Sequence, residues 1–405
     1  MTANRVVISG IGVISALGNT HPQFWSQLIS GACGVSTIQQ LDCSDMRFNI
    51  GAEVKSYASE TYFTPKQINW LDRFAQFALI SAGEAIQDAG LDQETISQIP
   101  TAVITGSCLG GQGTEDSAFH RLYQQNIKRG NPNVIPNVMA NAGASHIAAN
   151  YGISGPAYTV STACASSTHA IGQAYWLVRN GLVKRAITGG SEAPFSAGHL
   201  RAWEALRVVS PDVCRPFSKN RNGMVLGEGG AMMVLETLES AEQRGAPIYA
   251  EIIGFGMSAD ATHLTDPNTL GQQGAIKSAL QDSHIDAEQV NYINAHGTGT
   301  LANDHIESST IRTMFPQAKE HLLVSSTKGA HGHLLGATGA VEAISTVLAI
   351  KHQVIPPTIN FLEQDEQCDI PLVTNAAQQH RVEYAMSSSF AFGGLNAILL
   401  FKKYE

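Results

Sequence analysis

Four short stretches hold residues whose types and spacing can do chemistry. In the first, Ser161-Thr162-Ala163-Cys164-Ala165-Ser166-Ser167, a cysteine stands among small side chains where an apolar strand gives way to an apolar helix. That placement resembles a nucleophile elbow. A thiol at a helix N-terminus meets the positive end of the dipole and unpaired N–H groups, which lower its pKa and favour the thiolate. Small neighbours let a carbonyl approach the backbone, where the Cys164 N–H can help form an oxyanion hole. The competing reading is an ordinary buried cysteine, which is inert.

The second stretch, Asn294-Ala295-His296-Gly297-Thr298-Gly299-Thr300, places a histidine between small residues at the end of an apolar strand, with room for a ligand. The third runs from Ser325 through Lys328, His331 and His333 to Gly336. A histidine in such a loop is more often a hydrogen-bonded structural residue than a catalyst. A zinc reading of His331 and His333 finds no cysteine pair or third ligand at metal spacing, so no metal site is assigned. The fourth stretch, Ser389-Phe390-Ala391-Phe392-Gly393-Gly394-Leu395-Asn396, is Gly-rich but lacks the Lys and the strand-then-helix setting of a phosphate-binding loop. Its better use is as a mobile gate whose backbone approaches the nucleophile.

Positioning these loops requires strands that end in them. Short apolar runs at 5–9, 101–105, 186–188, 231–236, 249–253, 292–294, 322–325 and 397–401 read as buried strands, and 72–89, 169–180, 271–281 and 339–351 have helical spacing. Strands alternating with helices mean an α/β fold. The chain also repeats itself. The segment from Thr159 matches the one from Leu323, each a strand ending in Ser/Thr, a small-residue turn and a long apolar helix. Val6–Gly12 likewise matches the run from Glu251, and the run at Met232 matches that at Ile398. A duplicated fold follows, with an N-terminal half over 1–249 carrying the cysteine and a C-terminal half over 250–405 carrying the histidines and the gate.

Composition narrows the function. Charged residues are 15% of the 405, against about 25% in a typical domain, while 43% are hydrophobic, so little of the chain is built for solvated surface and an extensive oligomer interface is expected. The formal charge of -9 argues against nucleic acid as a partner, because phosphate binding needs a positive field. Six cysteines are too sparse for a disulfide scaffold and read as free thiols in a reducing cytosol. No secretory leader is recognisable at the N-terminus, and no stretch approaches the roughly 18 apolar residues of a membrane span. A cytoplasmic protein is expected.

Together, Cys164, His296, Lys328, His333 and the Phe392 loop resemble the β-ketoacyl-[acyl-carrier-protein] synthases, the type II condensing enzymes of the thiolase-like superfamily. The motifs fall in the family's order from Val6 to the C-terminus. The resemblance implies a duplicated five-layered αβαβα sandwich and a decarboxylative Claisen condensation without a cofactor, the substrates arriving on the phosphopantetheine arm of acyl carrier protein. It implies that Cys164 accepts the acyl chain, with the N–H groups of Cys164 and Phe392 as oxyanion hole and Phe392, Gly393 and Gly394 as the gate. His296 and His333 would then donate to the thioester enolate. Lys328, paired with Glu307, would balance charge and orient His333, with Asp304 in support.

By the same resemblance Thr298 and Thr300 bind the pantetheine arm, Asp260 and His263 lie on a second loop facing the gate, and Leu109 lines the acyl pocket. Lys66, Lys128 and Arg129 fall at carrier-docking positions, with Arg207 nearby. Asn69 and Trp70 stand at positions that are often basic in the housekeeping enzymes, and the loops depart from the family pattern at Gly299, Leu301, Asn303, Gly329, Ala330, His331, Ala391 and Leu395. These departures change the lining and not the catalytic side chains, as a specialised substrate such as an aryl-polyene chain would require. The implied partners are acyl carrier protein and either a second copy or a chain-length-factor-like subunit. The alternative is that this chain is itself such a non-catalytic partner, against which Cys164 and both histidines speak. A thiolase would need a second Cys in a Gly-rich loop, unlike Cys368, and a starter-unit synthase would need Asn at His333.

Overall fold

The structure is a computed structural model that describes residues 3–125, 127–316 and 321–405. Ten strands form one mixed sheet: β1 (Val6–Ser15), β2 (Thr101–Gly106), β3 (Ala157–Val160), β4 (Arg185–Glu192), β5 (Gly229–Thr237), β6 (Ala250–Ala259), β7 (Tyr292–Asn294), β8 (Leu323–Ser325), β9 (Tyr384–Ala391) and β10 (Leu395–Lys402). Their order is β8-β7-β9-β10-β6-β1-β5-β4-β2-β3. Read from each outer edge inward, the two halves have the same order. The pairing senses also agree: β2 lies parallel to β3 and β4, β7 lies parallel to β8 and β9, and the remaining neighbours within each half are antiparallel. The matched segments at Thr159 and Leu323, at Val6 and Glu251, and at Met232 and Ile398 occupy equivalent places.

The halves join where β1 and β6 pair over Val6–Ile8 alone. Beyond Ile8 the register slips and β1 parts from β6. Backbone donors left in a buried strand must find acceptors. Helix α1 (Arg73–Asp88) supplies them: Asp88 Oδ2 accepts from Ile11 N at 2.9 Å and Glu84 Oε2 from Val13 N at 2.8 Å. The second half repeats the device, with Asp282 of α6 (Thr269–Ser283) accepting from Phe255 N at 3.0 Å. Glycine lets each helix lie this close. A Cβ on Gly12 would stand 2.1 Å from Ser81 O, and one on Gly256 would stand 2.1 Å from Ala275 O.

Between α1 and α6 in the chain lie α2 (Gln112–Gln124), α3 (Ala142–Tyr151), α4 (Ser166–Arg179) and α5 (Ala197–Leu206); after α6 come α7 (Leu301–Met314) and α8 (Thr338–His352). Helices α4 and α8 pack on each other between the inner faces of the two half-sheets, α1 and α3 cover one outer face, and α6 and α7 extend over the other. Five layers result. Helix α8 is buried from Thr338 to Ile350, a stretch with no solvent face whose only charged side chain is Glu342.

Several elements exceed or escape the periodicity. Strand β6 runs to Ala259, well past 253, β1 to Ser15 and β4 to Glu192, because their Gly and Ser residues pair as well as apolar ones. Strand β9 is rich in serine, and α7 buries Asn303, Asp304, Glu307, Ser308 and Thr310, so neither shows an apolar stripe. That polar buried face of α7 serves the site.

Gly106, at the end of β2, lies against the start of α4: a Cβ there would stand 2.3 Å from Ser167 N and 2.4 Å from Ser167 Cα. Backbone cannot yield as a side chain does, so Gly106→Ala should lower the unfolding free energy by about 1–3 kcal/mol. A thermal midpoint equal to wild type would show that the helix can retreat at no cost.

Candidate active site

Cys164 follows β3 on a tight turn. Ala163 takes a left-handed conformation (φ 49), uncommon for a residue with a Cβ, and the turn is closed by Ala165 N to Thr162 O and Ser166 N to Ala163 O, both 3.1 Å. Ser166 Oγ accepts from Thr162 N at 2.8 Å. The elbow thus aims Cys164 away from strand and helix. Its ionisation runs opposite to the expectation from helix position. The thiol is buried, and burial pushes it up to about 11 against Lys328 and the N–H groups of Phe392 and Cys164, which act downward. Helix α4 begins at Ser166, and removal from water outweighs the dipole. At neutral pH the resting group is a thiol. The N–H groups of Phe392 and Cys164, those expected to form an oxyanion hole, both act on the thiol in the direction that favours negative charge.

A ring nitrogen of His296, a ring nitrogen of His333 and Cys164 Sγ lie within 4.8 Å of one another. The imidazoles meet edge to face, with centroids 5.5 Å apart at 84°. Each has its inner nitrogen engaged. His333 Nδ1 accepts from Leu335 N at 3.2 Å and bonds Thr338 Oγ1 at 2.7 Å. His296 Nδ1 lies 3.2 Å from Lys328 Nζ, which as an ammonium only donates. In both rings the proton therefore resides on Nε2, free to donate into the cavity the two rings line. Burial first, and then Lys328, hold both well below the usual histidine range, so both are neutral.

Lys328 is not paired with Glu307, and it does not touch His333. Its Nζ meets Glu342 Oε1 of α8 at 2.5 Å and donates to the His296 carbonyl as well as facing His296 Nδ1. Glu307 instead accepts from His296 N and Gly297 N, each 2.7 Å, and from Asn303 Nδ2 at 3.1 Å. One turn earlier, Asp304 accepts from Gly299 N at 3.2 Å and from Phe217 N at 2.7 Å. The two carboxylates of α7 fasten the histidine loop by its backbone. Burial pushes Glu307 and Glu342 up to about 7, opposed respectively by the Gly297 N–H and by Lys328.

The cavity above the sulfur holds about 240 Å³. Thr298, Thr300, Asp260, Phe392 and Gly394 line it, as does Asn303. Thr298 and Thr300 share a hydroxyl bond of 2.8 Å. The gate is tied to the facing loop by Gly393 N to Leu264 O at 2.7 Å and Asp260 N to Gly394 O at 2.8 Å, with Gly393 and Gly394 at positive φ. His263 does not reach the cavity. It is exposed, its Nδ1 turned onto Thr265 N and Asp266 N at 3.2 Å each, and Leu264, Thr265 and Asp266 form the wall instead. Leu109 does not line it either, and packs, as Phe392 does, against the apolar cluster that includes Trp203 and Leu335. Lys66, on the short helix Pro65–Ile68, and Lys128 and Arg129 are exposed and do not border the cavity, whereas Arg207 directly follows the lining residue Leu206. His331 bonds Thr327 and Gly332 and is structural.

Three residues enter that sequence reading passed over. Glu342 is the lone charged residue in the buried stretch of α8, which is the available signal. Glu192, at the end of β4, accepts from Ser107 Oγ (2.9 Å), Cys108 N (2.8 Å), Leu109 N (3.2 Å) and Gly336 N (3.1 Å), tying the turn after His333 to the loop after β2. Trp203 of α5 lines the cavity beside Phe392, the two rings stacked.

A doubled five-layered fold with a buried Cys-His-His centre defines a thiolase-like condensing enzyme. The sequence matches the β-ketoacyl synthase N-terminal domain over residues 3–241 and its C-terminal domain over 249–362, and the chain belongs to the β-ketoacyl synthase family. It is 39% identical over 408 residues to 3-oxoacyl-[acyl-carrier-protein] synthase 2 of Staphylococcus aureus (strain COL), covering 99% of both chains. It is 40% identical over 401 residues to nodulation protein E of Rhizobium sp. (strain N33), covering 98% of this chain and 99% of that one. Among solved structures, the ishigamide ketosynthase/chain length factor superposes with a TM-score of 0.96 at 33% identity, covering all of both chains.

A thiol at about 11 has a thiolate fraction that grows tenfold per pH unit below that value. Alkylation of Cys164 by iodoacetamide, followed by peptide mass mapping, should rise with unit slope from neutrality toward pH 10, and Lys328→Met should be slower at every pH. A plateau near pH 8, or a faster variant, contradicts the assignment.

Proposed function

We propose that the chain is a cytoplasmic 3-oxoacyl-[acyl-carrier-protein] synthase of fatty acid or polyketide-type chain elongation, working by acyl transfer to Cys164 and decarboxylative condensation with malonyl-carrier protein. The observation that carries this reading is the meeting of a thiol with two neutral Nε2–H imidazoles within 4.8 Å. In the first half-reaction Cys164 Sγ attacks the carrier thioester, the oxyanion lies between the N–H groups of Cys164 and Phe392, and the carrier leaves as a thiol with the proton of Cys164. In the second, malonyl-carrier protein loses carbon dioxide. The electron pair left behind gives an enolate whose oxygen receives bonds from His296 and His333. Its carbon attacks the acyl-cysteine, the C–S bond breaks, and the departing Cys164 thiolate takes a proton from solvent water.

Neutral donors suit this step. Two imidazoles stabilise negative charge as it develops without binding the malonyl carboxylate as cations would, and each such donor is worth roughly 3 kcal/mol. Thr298 and Thr300, on the cavity wall, would hold the pantetheine arm, and Asp304 and Glu307 keep the His296 loop in place. No resident metal or cofactor is needed. Lys66, Lys128, Arg129 and Arg207 would meet the acidic carrier, and the exposed edge strand β3 would pair with a second copy or with a chain-length-factor-like subunit. A purely scaffolding role is disfavoured by the intact Cys164, His296 and His333.

Intact-mass analysis tests the reading. Mixed with acyl-carrier proteins of several lengths and degrees of unsaturation, the wild type should gain the acyl mass and Cys164→Ala should not. Malonyl-carrier protein should then discharge the adduct as a chain two carbons longer. No adduct from any donor, even with a co-expressed partner subunit, would sink the transferase assignment.

A further inference from the structure

Phe392 is followed by two glycines at positive φ, Gly393 and Gly394, yet its N–H must point at Cys164 for acyl transfer. Bonds at Gly393 and Gly394 hold the residues after Phe392. The Phe392 ring is held differently. It stacks on the indole of Trp203, with centroids 6.2 Å apart and planes 23° from parallel. Trp203 is in turn fixed by a residue one turn earlier on α5. Its Nε1–H donates to His199 Nε2 at 2.7 Å, with the rings edge to face at 5.9 Å. An indole N–H is a donor only, so His199 must present a bare Nε2 and carry its proton on Nδ1. The first turn of α5 is anchored from α2, where Asp116 Oδ2 accepts from Gly198 N at 3.2 Å. A continuous set of contacts thus runs from α2 through His199 and Trp203 to the gate.

We propose that His199 and Trp203 form a latch that positions Phe392, so that the pair governs acyl transfer to Cys164 without touching the reacting atoms. His199 is the positioning residue and Trp203 the plate against which the gate rests. The proposal rests on the ketosynthase reading above and deepens it. The latch acts on the Phe392 N–H, whereas decarboxylation of malonyl-carrier protein uses the imidazoles of His296 and His333. The two half-reactions should therefore respond differently. Without an acceptor for its N–H, the indole is free to turn and the gate loses its stop. Gln at position 199 offers a carbonyl oxygen to the same N–H and should keep the latch.

The experiment measures both half-reactions in the wild type, His199→Ala and His199→Gln: acylation of Cys164 by octanoyl-carrier protein, read by intact mass, and carbon dioxide release from malonyl-carrier protein. His199→Ala should be acylated about tenfold more slowly, part of the 10²–10³ that one oxyanion donor supplies. Its decarboxylation should stay within about twofold of wild type, and His199→Gln should recover most of the acylation rate. Acylation of His199→Ala at the wild-type rate overturns the latch. So does an equal fall in both half-reactions, or a His199→Gln variant as slow as His199→Ala. A wild type that accepts no acyl group overturns the ketosynthase reading and the latch with it, which distinguishes that failure from failure of the latch alone.

Discussion

A buried ammonium is costly unless its charge is met and its protons are taken. Lys328 has no exposed surface, and it meets these demands with the Glu342 carboxylate, the His296 carbonyl and His296 Nδ1. The rest of the site follows from that arrangement. The ammonium fixes the tautomer of His296, opposes protonation of His296 and His333, and pulls the Cys164 thiol down against the burial that drives it up. Glu342 lies on the central helix α8, so the charge balance of the site is built into the middle layer of the fold.

Duplication explains why so many groups converge. In each half the three parallel strands end on the same side, and in parallel α/β sheets ligand sites form beyond the carboxyl ends of strands. From the first half come the Ser107–Leu109 loop after β2, Cys164 after β3 and Glu192 at the end of β4. From the second come His296 after β7, Lys328 and His333 after β8, and Phe392 after β9. Cys164 and Lys328 therefore occupy equivalent positions of the repeat, one now a nucleophile and the other the charge that conditions it. Glu192 binds the loops of both halves together through four donors.

Much of this was legible in the residues because strand ends next to Gly, Ala and Ser runs advertise loops that must admit a ligand. Cys164, His296, Lys328, His333 and Phe392 were found in that way, and the repeated runs announced the doubled sheet. Partnership between acids and bases was not legible. Glu307 and Glu342 are both plausible companions for Lys328 in sequence, and only packing decides that one takes backbone N–H groups and the other the ammonium. Ionisation of Cys164 was misjudged for a related reason, since helix position is visible in sequence and depth of burial is not. Helix α7 stayed hidden because its inward face is polar.

The central claim is that both imidazoles are neutral and carry their proton on Nε2, set by Lys328 on one side and by Leu335 N and Thr338 on the other. Neutron diffraction from crystals of the perdeuterated protein near pH 7 tests it most directly. The account predicts deuterium on Nε2 and none on Nδ1 in both His296 and His333, with three deuterons on Lys328 Nζ. Deuterium on Nδ1 of either ring, or an uncharged Lys328, would contradict it.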